Sequence, residues 1–416
     1  MPPLTEPGAK EEQVLPAWCV LGSLVLIAGL YFLLHRHDLT VGWLEDLPIY
    51  KAALHAYMQG VNPYAVTHRL MHFVYPPIVL ACISFLARIM PGESEWVLII
   101  GIHIMCVLAA PLVLASYYLR RPWLTPAMAL LIWLAEPLYT GVRALFSANI
   151  APSLYLFALL AAIPGIRRNR WYWFYVVVFL AGMVKATMIL LLLFPLLAGT
   201  QQWLPSTLTV VAVAAINKVQ QMFMPGFYAD YKASLLQQVT GLRMYGYGVF
   251  GTAAVVEQKV HHDQVGIFSY AVHILFAVIL LAFLFLLRRR GANALRIANA
   301  TPDAAVLWLG LIVMGFVMVN PRVLHYDIYL ALFAAFVVLA TTLRLHGWKL
   351  LLLLLLLFLP GLLALPHSRP WLVPQTWQLL IVLTALAAGI RRLWLETQPA
   401  IAPGLSDPAL AVARES

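Results

Sequence analysis

The chain has 416 residues, 62% of them hydrophobic and only 11% charged, with a mean hydropathy of +0.85. A soluble domain carries about 25% charged residues, so the deficit excludes cytosolic enzymes, nucleic-acid binders and disordered scaffolds. The net charge of +10 falls mostly in short loops between apolar runs, which marks membrane topology and not a polyanion footprint.

Residues 1–15 are polar, carry Lys10, Glu11 and Glu12, and read as a cytoplasmic N-terminal tail. Ala17–Leu34 is continuously apolar, and His35, Arg36, His37 and Asp38 follow where a small-residue cleavage site would stand. An uncleaved first span is expected, not a secretory signal. A crossing needs about 20 apolar residues. Further candidates are Trp96–Leu119, Trp123–Tyr139, Leu145–Ile166, Trp203–Met224, Val265–Leu287, Ala304–Val319, Val323–Leu343, Trp348–Leu365 and Trp371–Ile390. Pro76–Met90 is short, and Tyr172–Ala198 is long with Lys185 at its centre.

Basic residues gather at Arg120-Arg121, Arg167 to Arg170, Arg288 to Arg290 with Arg296, Arg344 with Lys349, and Arg391-Arg392. Putting all of these in the cytoplasm requires Tyr172–Ala198 to go out and return, with Lys185 at the outer turn, and keeps Pro76–Met90 from crossing fully. The expected fold is an all-α polytopic membrane protein, with about 12 transmembrane helices plus short re-entrant and interfacial helices. It forms one transmembrane catalytic domain over 16–396, followed by a flexible cytoplasmic tail over 397–416. The expected location is the inner (plasma) membrane, with the site facing the extracytoplasmic side. Two outer loops, 35–75 and 225–264, far exceed the roughly 4–6 residues that most connections use.

In the first outer loop, Asp46 to Gly60 reads as a helix lying on the membrane surface. Ile49, Ala53, Ala56 and Tyr57, flanked by Tyr50 and Leu54, form an apolar stripe, and Lys51, His55 and Gln59 face away from it. Pro48 suits a first turn and Gly60 a stop. Asp46 has two compatible readings: a first-turn carboxylate that favours the helix dipole, and a positioned general base at the membrane–water boundary.

The order Asp46-x3-Tyr50-x-Ala52-Ala53, Gly60-x-Asn62-Pro63-Tyr64 and Tyr75-Pro76-Pro77 resembles the opening of the polyprenyl-phosphate-sugar-dependent membrane glycosyltransferases of family 87. Those are GT-C-fold enzymes related to the mycobacterial mannosyltransferases that build phosphatidylinositol mannosides. Ser147-Ala148-Asn149 stands where that family tends to have Gly-Gln-x-Asn, without the Gly and Gln. Gly182 to Thr187 is similar to its Gly…Lys-x-Thr pattern. Asn320-Pro321-Arg322-x-x-His325-Tyr326-Asp327 resembles its late periplasmic polar patch.

The resemblance implies an inverting transfer of a mannose-like hexose from a polyprenyl-phosphate donor to a lipid or glycan acceptor. Asp46 would be the base. Lys185, Arg322 and His325 would hold the donor phosphate, and Tyr50, Asn62, Tyr64, Tyr75, Asn149 and Asp327 would contact substrate. Lys185 also reads as a snorkelling lysine, and Arg322 with Tyr326 as an interfacial anchor.

The second outer loop holds Gly246-Tyr-Gly-Val-Phe-Gly251, a literal G-x-G-x-x-G with no strand before it, so nucleotide binding is discounted. A gating loop is expected there, with Arg243, Tyr245 and His261 reaching substrate. No H-E-x-x-H, Walker A or D-x-D pattern occurs, and Cys19, Cys82 and Cys106 lack metal-ligand spacing. The expected chemistry is therefore independent of metal and cofactor, with membrane lipid, donor and acceptor as partners and no nucleic acid. The competing class is a secondary transporter of a small polar or anionic solute, in which Lys185 and Asp327 form an ion relay. No second copy of the first outer loop supports the repeated halves that such transporters show. A non-catalytic scaffold in envelope assembly is a third possibility.

Overall fold

A computed structural model describes residues 44, 46–66, 73–90, 92, 94–118, 144, 147–240, 246–261, 266–290, 302–363 and 372–397. The expected spans Ala17–Leu34 and Trp123–Tyr139 and the two terminal tails lie outside these. Among the described residues there are helices and turns and no strand. The first four helices are α1 (Asp46–Met58), α2 (Pro63–Val66), α3 (Pro77–Ile89) and α4 (Ser94–Val113). Then come α5 (Ala151–Arg168), α6 (Tyr172–Val184), a 3-10 segment (Ala186–Leu192), α7 (Leu193–Ala198) and α8 (Trp203–Phe223). The later part comprises α9 (Pro225–Thr240), α10 (Val249–His261), α11 (Ile267–Arg289), α12 (Pro302–Val319), α13 (His325–Thr342), α14 (Trp348–Leu363) and α15 (Leu372–Glu396).

Among the described residues, four helical segments are long and apolar enough to cross a membrane: Ser94–Val113, Ile267–Arg289, His325–Thr342 and Thr376–Glu396. Their outward faces carry large apolar side chains, with Ile267 87% and Val97 74% exposed. Water would penalise such a surface and a bilayer does not. The chain is built as a membrane protein.

The helix α13 is apolar all round and buried along nearly its whole length, packed by α12, α15 and α5. A helix with no polar face belongs inside a bundle. Between helices in lipid, close packing replaces the hydrophobic effect as the source of cohesion. Small residues permit it here: Ala331, Ala334, Ala335 and Ala340 on α13 are buried, and a Cβ on Gly389 of α15 would meet Val338 at 2.9 Å and Leu311 at 3.1 Å.

The expected out-and-back course of Tyr172–Ala198 is present. The chain runs up α6, turns at Lys185 in extended conformation (φ −141°, ψ 104°), and returns through the 3-10 segment and α7. The two feet of this hairpin meet where Asn169 Nδ2 donates to Thr200 Oγ1 at 2.7 Å. Thirteen residues of α6 rise only about 20 Å, against a hydrocarbon core of about 30 Å. The hairpin tip, and Lys185 with it, therefore stops short of the full membrane thickness.

The helix α1 matches its expected course. Tyr50, Ala53, Leu54 and Ala56 are buried, His55 and Gln59 are exposed, and Gly60 leaves the helix at φ +72°. Its buried face joins Tyr64, Phe73, Tyr75, Leu80 and Trp96 in a small second core at one end of the bundle. The late polar cluster differs from expectation. Helix α13 restarts at His325, two residues after Val323, because the Asp327 carboxylate reaches back to accept the Leu324 N–H at 2.9 Å. That one-way cap sets the first turn and leaves Arg322 in the connecting turn, ahead of the helix.

Candidate active-site cavity

One cavity of about 170 Å³ opens at the end of the bundle where α1, the hairpin tip and the start of α13 meet. Asp46, Tyr50, Tyr75, Asn149, Lys185, Arg322, His325 and Tyr326 all line it. Residues separated by up to 280 positions along the chain thus share one space.

Asp46 is the first residue of α1, and two donors orient its carboxylate. Asn149 Nδ2 donates to Oδ2 at 2.9 Å, and the Tyr50 hydroxyl, one helical turn on, donates to the same oxygen at 3.2 Å. The Tyr50 and Tyr75 hydroxyls lie 3.1 Å apart. With its single proton committed to Asp46, Tyr50 accepts from Tyr75. Burial, followed by the charge of Asp46, pushes both phenols well above their ordinary range, so both remain protonated donors. Asn149 is itself fixed: its Oδ1 accepts the Ala151 N–H at 3.1 Å, and its own N–H donates to Ser147 Oγ at 3.2 Å.

Lys185 extends from the hairpin tip to Asp327, Nζ to Oδ1 at 3.3 Å, and stands 4.5 Å from the centre of the Tyr326 ring. Asp327 is fully buried and also accepts from the Tyr155 hydroxyl at 2.5 Å. A lysine in an apolar stretch needs compensation, and Asp327 supplies it from beneath while the ammonium still reaches the cavity. Arg322 lies within electrostatic reach of Lys185 and donates through Nη1 to Gln238 Oε1 at 2.7 Å.

Helix α9 forms the remaining wall through Tyr231, Leu235 and Gln238. It is tied to the segment between α1 and α3 where Asn62 Nδ2 donates to Asp230 at 2.8 Å and Ser234 Oγ donates to the Phe73 carbonyl at 2.9 Å. The glycine-rich Gly246–Gly251 segment packs backbone to backbone against the turn before α13, with the Tyr247 N–H donating to the Val323 carbonyl at 2.6 Å. Gly246 has φ +90°, and a Cβ there would sit 2.4 Å from that carbonyl oxygen. This segment is a strut that braces the Arg322 turn where a gating loop was expected. Gly246→Ala should therefore lower unfolding stability by about 2–3 kcal/mol, read from denaturation in detergent.

The structure brings seven of the predicted residues into the cavity: Asp46, Tyr50, Tyr75, Asn149, Lys185, Arg322 and His325. Three others have different work. Asn62 closes its own turn onto the Tyr64 N–H and clamps Asp230, and the Tyr64 hydroxyl donates to the Tyr75 carbonyl at 2.8 Å. Asp327 is spent on Tyr155, Lys185 and the Leu324 N–H, and does not line the cavity. All three brace residues of the site, and none of them lines the cavity. Arg243 and Tyr245 lie outside the described residues, as does the side chain of His261.

Sequence reasoning passed over Gln238 and Tyr155 as site-shaping groups, because nothing local marks a polar side chain whose partner is more than eighty residues away. Thr187 was visible in the Gly…Lys-x-Thr pattern. It lines the cavity, and its buried Oγ1 has no hydrogen-bond partner among the described residues. Among those residues no group of three or more His, Cys, Asp or Glu is arranged to hold a metal ion. No family model, no curated protein and no solved structure matches this chain.

Proposed function

We propose that the protein is an integral-membrane glycosyltransferase that moves a hexose, mannose-like by preference, from a polyprenyl-phosphate donor to a lipid or glycan hydroxyl. The observation that carries this reading is the meeting of Asp46 with Lys185, Arg322 and His325 around one cavity. On this reading the fold is GT-C-like with about 12 crossings, set by the same count of basic loops as above. The cavity faces the extracytoplasmic side of the plasma membrane.

The acceptor oxygen attacks the anomeric carbon, its proton passes to Asp46, and the bond from that carbon to the phosphate oxygen breaks. Polyprenyl phosphate departs with the electron pair. A single displacement inverts the anomeric centre. The growing negative charge on the departing phosphate meets Lys185 and Arg322, already oriented before reaction, and the unpartnered Thr187 hydroxyl. Asp327 and Gln238 hold the two cations in place, so little reorganisation accompanies the charge shift.

The test is sugar transfer by the purified full-length protein with synthetic polyprenyl-phosphate sugars, following inverted product. No transfer from any hexose donor would remove the reading. Arg322→Gln should weaken donor binding by about tenfold or more, the loss of one charge-assisted contact. Unchanged donor affinity would take Arg322 out of the phosphate site.

The secondary-transporter reading draws on one observation, the buried Lys185–Asp327 pair. A relay must exchange partners during its cycle. Asp327 is instead held by a helix cap and by Tyr155, an arrangement suited to a fixed strut. Solute uptake into proteoliposomes without sugar transfer would favour the transporter.

A further inference from the structure

A second cavity, which shares no lining residue with the first, lies between α11 and α15. The two helices run parallel there, since their C-terminal ends meet where the Arg290 guanidinium stacks 3.4 Å over the Trp394 ring. Phe276 and Phe283 line one side, Leu383 and Ile390 the other, and Arg391 and Trp394 close the arginine-rich end. From Leu383 to Trp394 the helical rise is about 16 Å, close to the roughly 15 Å depth of one leaflet's hydrocarbon. The groove thus runs one leaflet deep, with its cationic end at the level where a headgroup sits.

Charge at that end favours an anion. Arg289, Arg290 and Arg391 are exposed there, while Arg392 is paired with Glu396 at 2.7 Å. The two helix C-termini together oppose these with about one negative charge, so a clear positive excess remains. Contact with the Trp394 ring holds the exposed Arg290 guanidinium at this end, and a guanidinium fork suits phosphate oxygens.

We infer that this groove is a binding site for one anionic phospholipid, its acyl chain lying between α11 and α15 and its phosphate held by Arg290 and Arg391. The site is separate from the Asp46 cavity and does not depend on the reaction proposed there.

The experiment is native mass spectrometry of the full-length protein in mild detergent, titrated with phosphatidylglycerol or with phosphatidylcholine. Wild-type protein should retain one phosphatidylglycerol in preference to phosphatidylcholine. Arg391→Gln should reduce that retention by about fivefold, the effect of one basic residue near an anionic headgroup. Ala387→Trp fills the groove without altering charge and should reduce retention of both lipids. Ala387 and Arg391 are both exposed, so neither change disturbs the core. Equal retention of the two lipids by wild type, or variants that bind phosphatidylglycerol like wild type, would overturn the assignment; the second result is also the one expected if another part of the chain covers the groove.

Discussion

Asp46→Asn should slow sugar transfer by about 10²–10⁴-fold, the range for removing a positioned general base, while donor binding and folding stay near wild type. The substitution keeps the shape of the side chain. An asparagine oxygen can still accept from Asn149 and Tyr50, as Asp46 Oδ2 does at 2.9 and 3.2 Å, so the start of α1 remains anchored. An amide oxygen has almost no affinity for a proton, so the acceptor hydroxyl would have to lose its proton to water during attack. On the barrier the loss amounts to about 3–5 kcal/mol. Single-turnover transfer beside equilibrium donor binding makes the distinction. A variant that turns over within threefold of wild type would show that Asp46 serves only as a helix-end carboxylate. A parallel loss of donor binding would mean that it holds substrate in place of activating it.

Much of this site is legible in the sequence, and the reasons differ residue by residue. Asp46 stood out as a carboxylate in the first turn of an interfacial helix, and Tyr50 as a flank of that helix's apolar stripe; that the two meet was not read. Lys185 announced itself through cost, since a charge in a 27-residue apolar run (Tyr172–Ala198) demands either a turn or a partner. It has both: the turn was foreseen from the arginine count, whereas the partner was foreseen only under the transporter reading. Asp327 was placed among the substrate contacts because it falls within the polar patch that carries the family resemblance. The helix cap at Leu324 instead draws its carboxylate inward, to Tyr155 on another helix. Such long-range closure has no local signature. The glycine-rich segment misled in the opposite direction, because glycines permit both mobility and close approach, and here the approach to Val323 decides between them.

The buried pair yields the largest expected change in stability. Asp327→Ala strands an ammonium that is only 20% exposed, removes the acceptor of the Tyr155 hydroxyl, and uncaps α13. Removing one partner of a buried pair costs about 3–5 kcal/mol, and unfolding in mixed detergent should show a loss of that size. Lys185→Met combined with Asp327→Leu removes both charges with little change in volume. Apolar replacement of a whole pair is often neutral, so this double variant should recover most of the lost stability. It should not recover function. If Lys185 serves the donor phosphate, the refolded double variant binds donor about 10–100-fold more weakly, the value of a charge-assisted contact. Stability restored together with full donor affinity would make the pair a mere strut and remove Lys185 from the chemistry. Stability not restored would mean that the Leu324 cap and the Tyr155 bond, and not the ion pair, hold the start of α13. The two measurements together separate what Asp327 does for the fold from what Lys185 does in the cavity, a separation that neither single substitution provides.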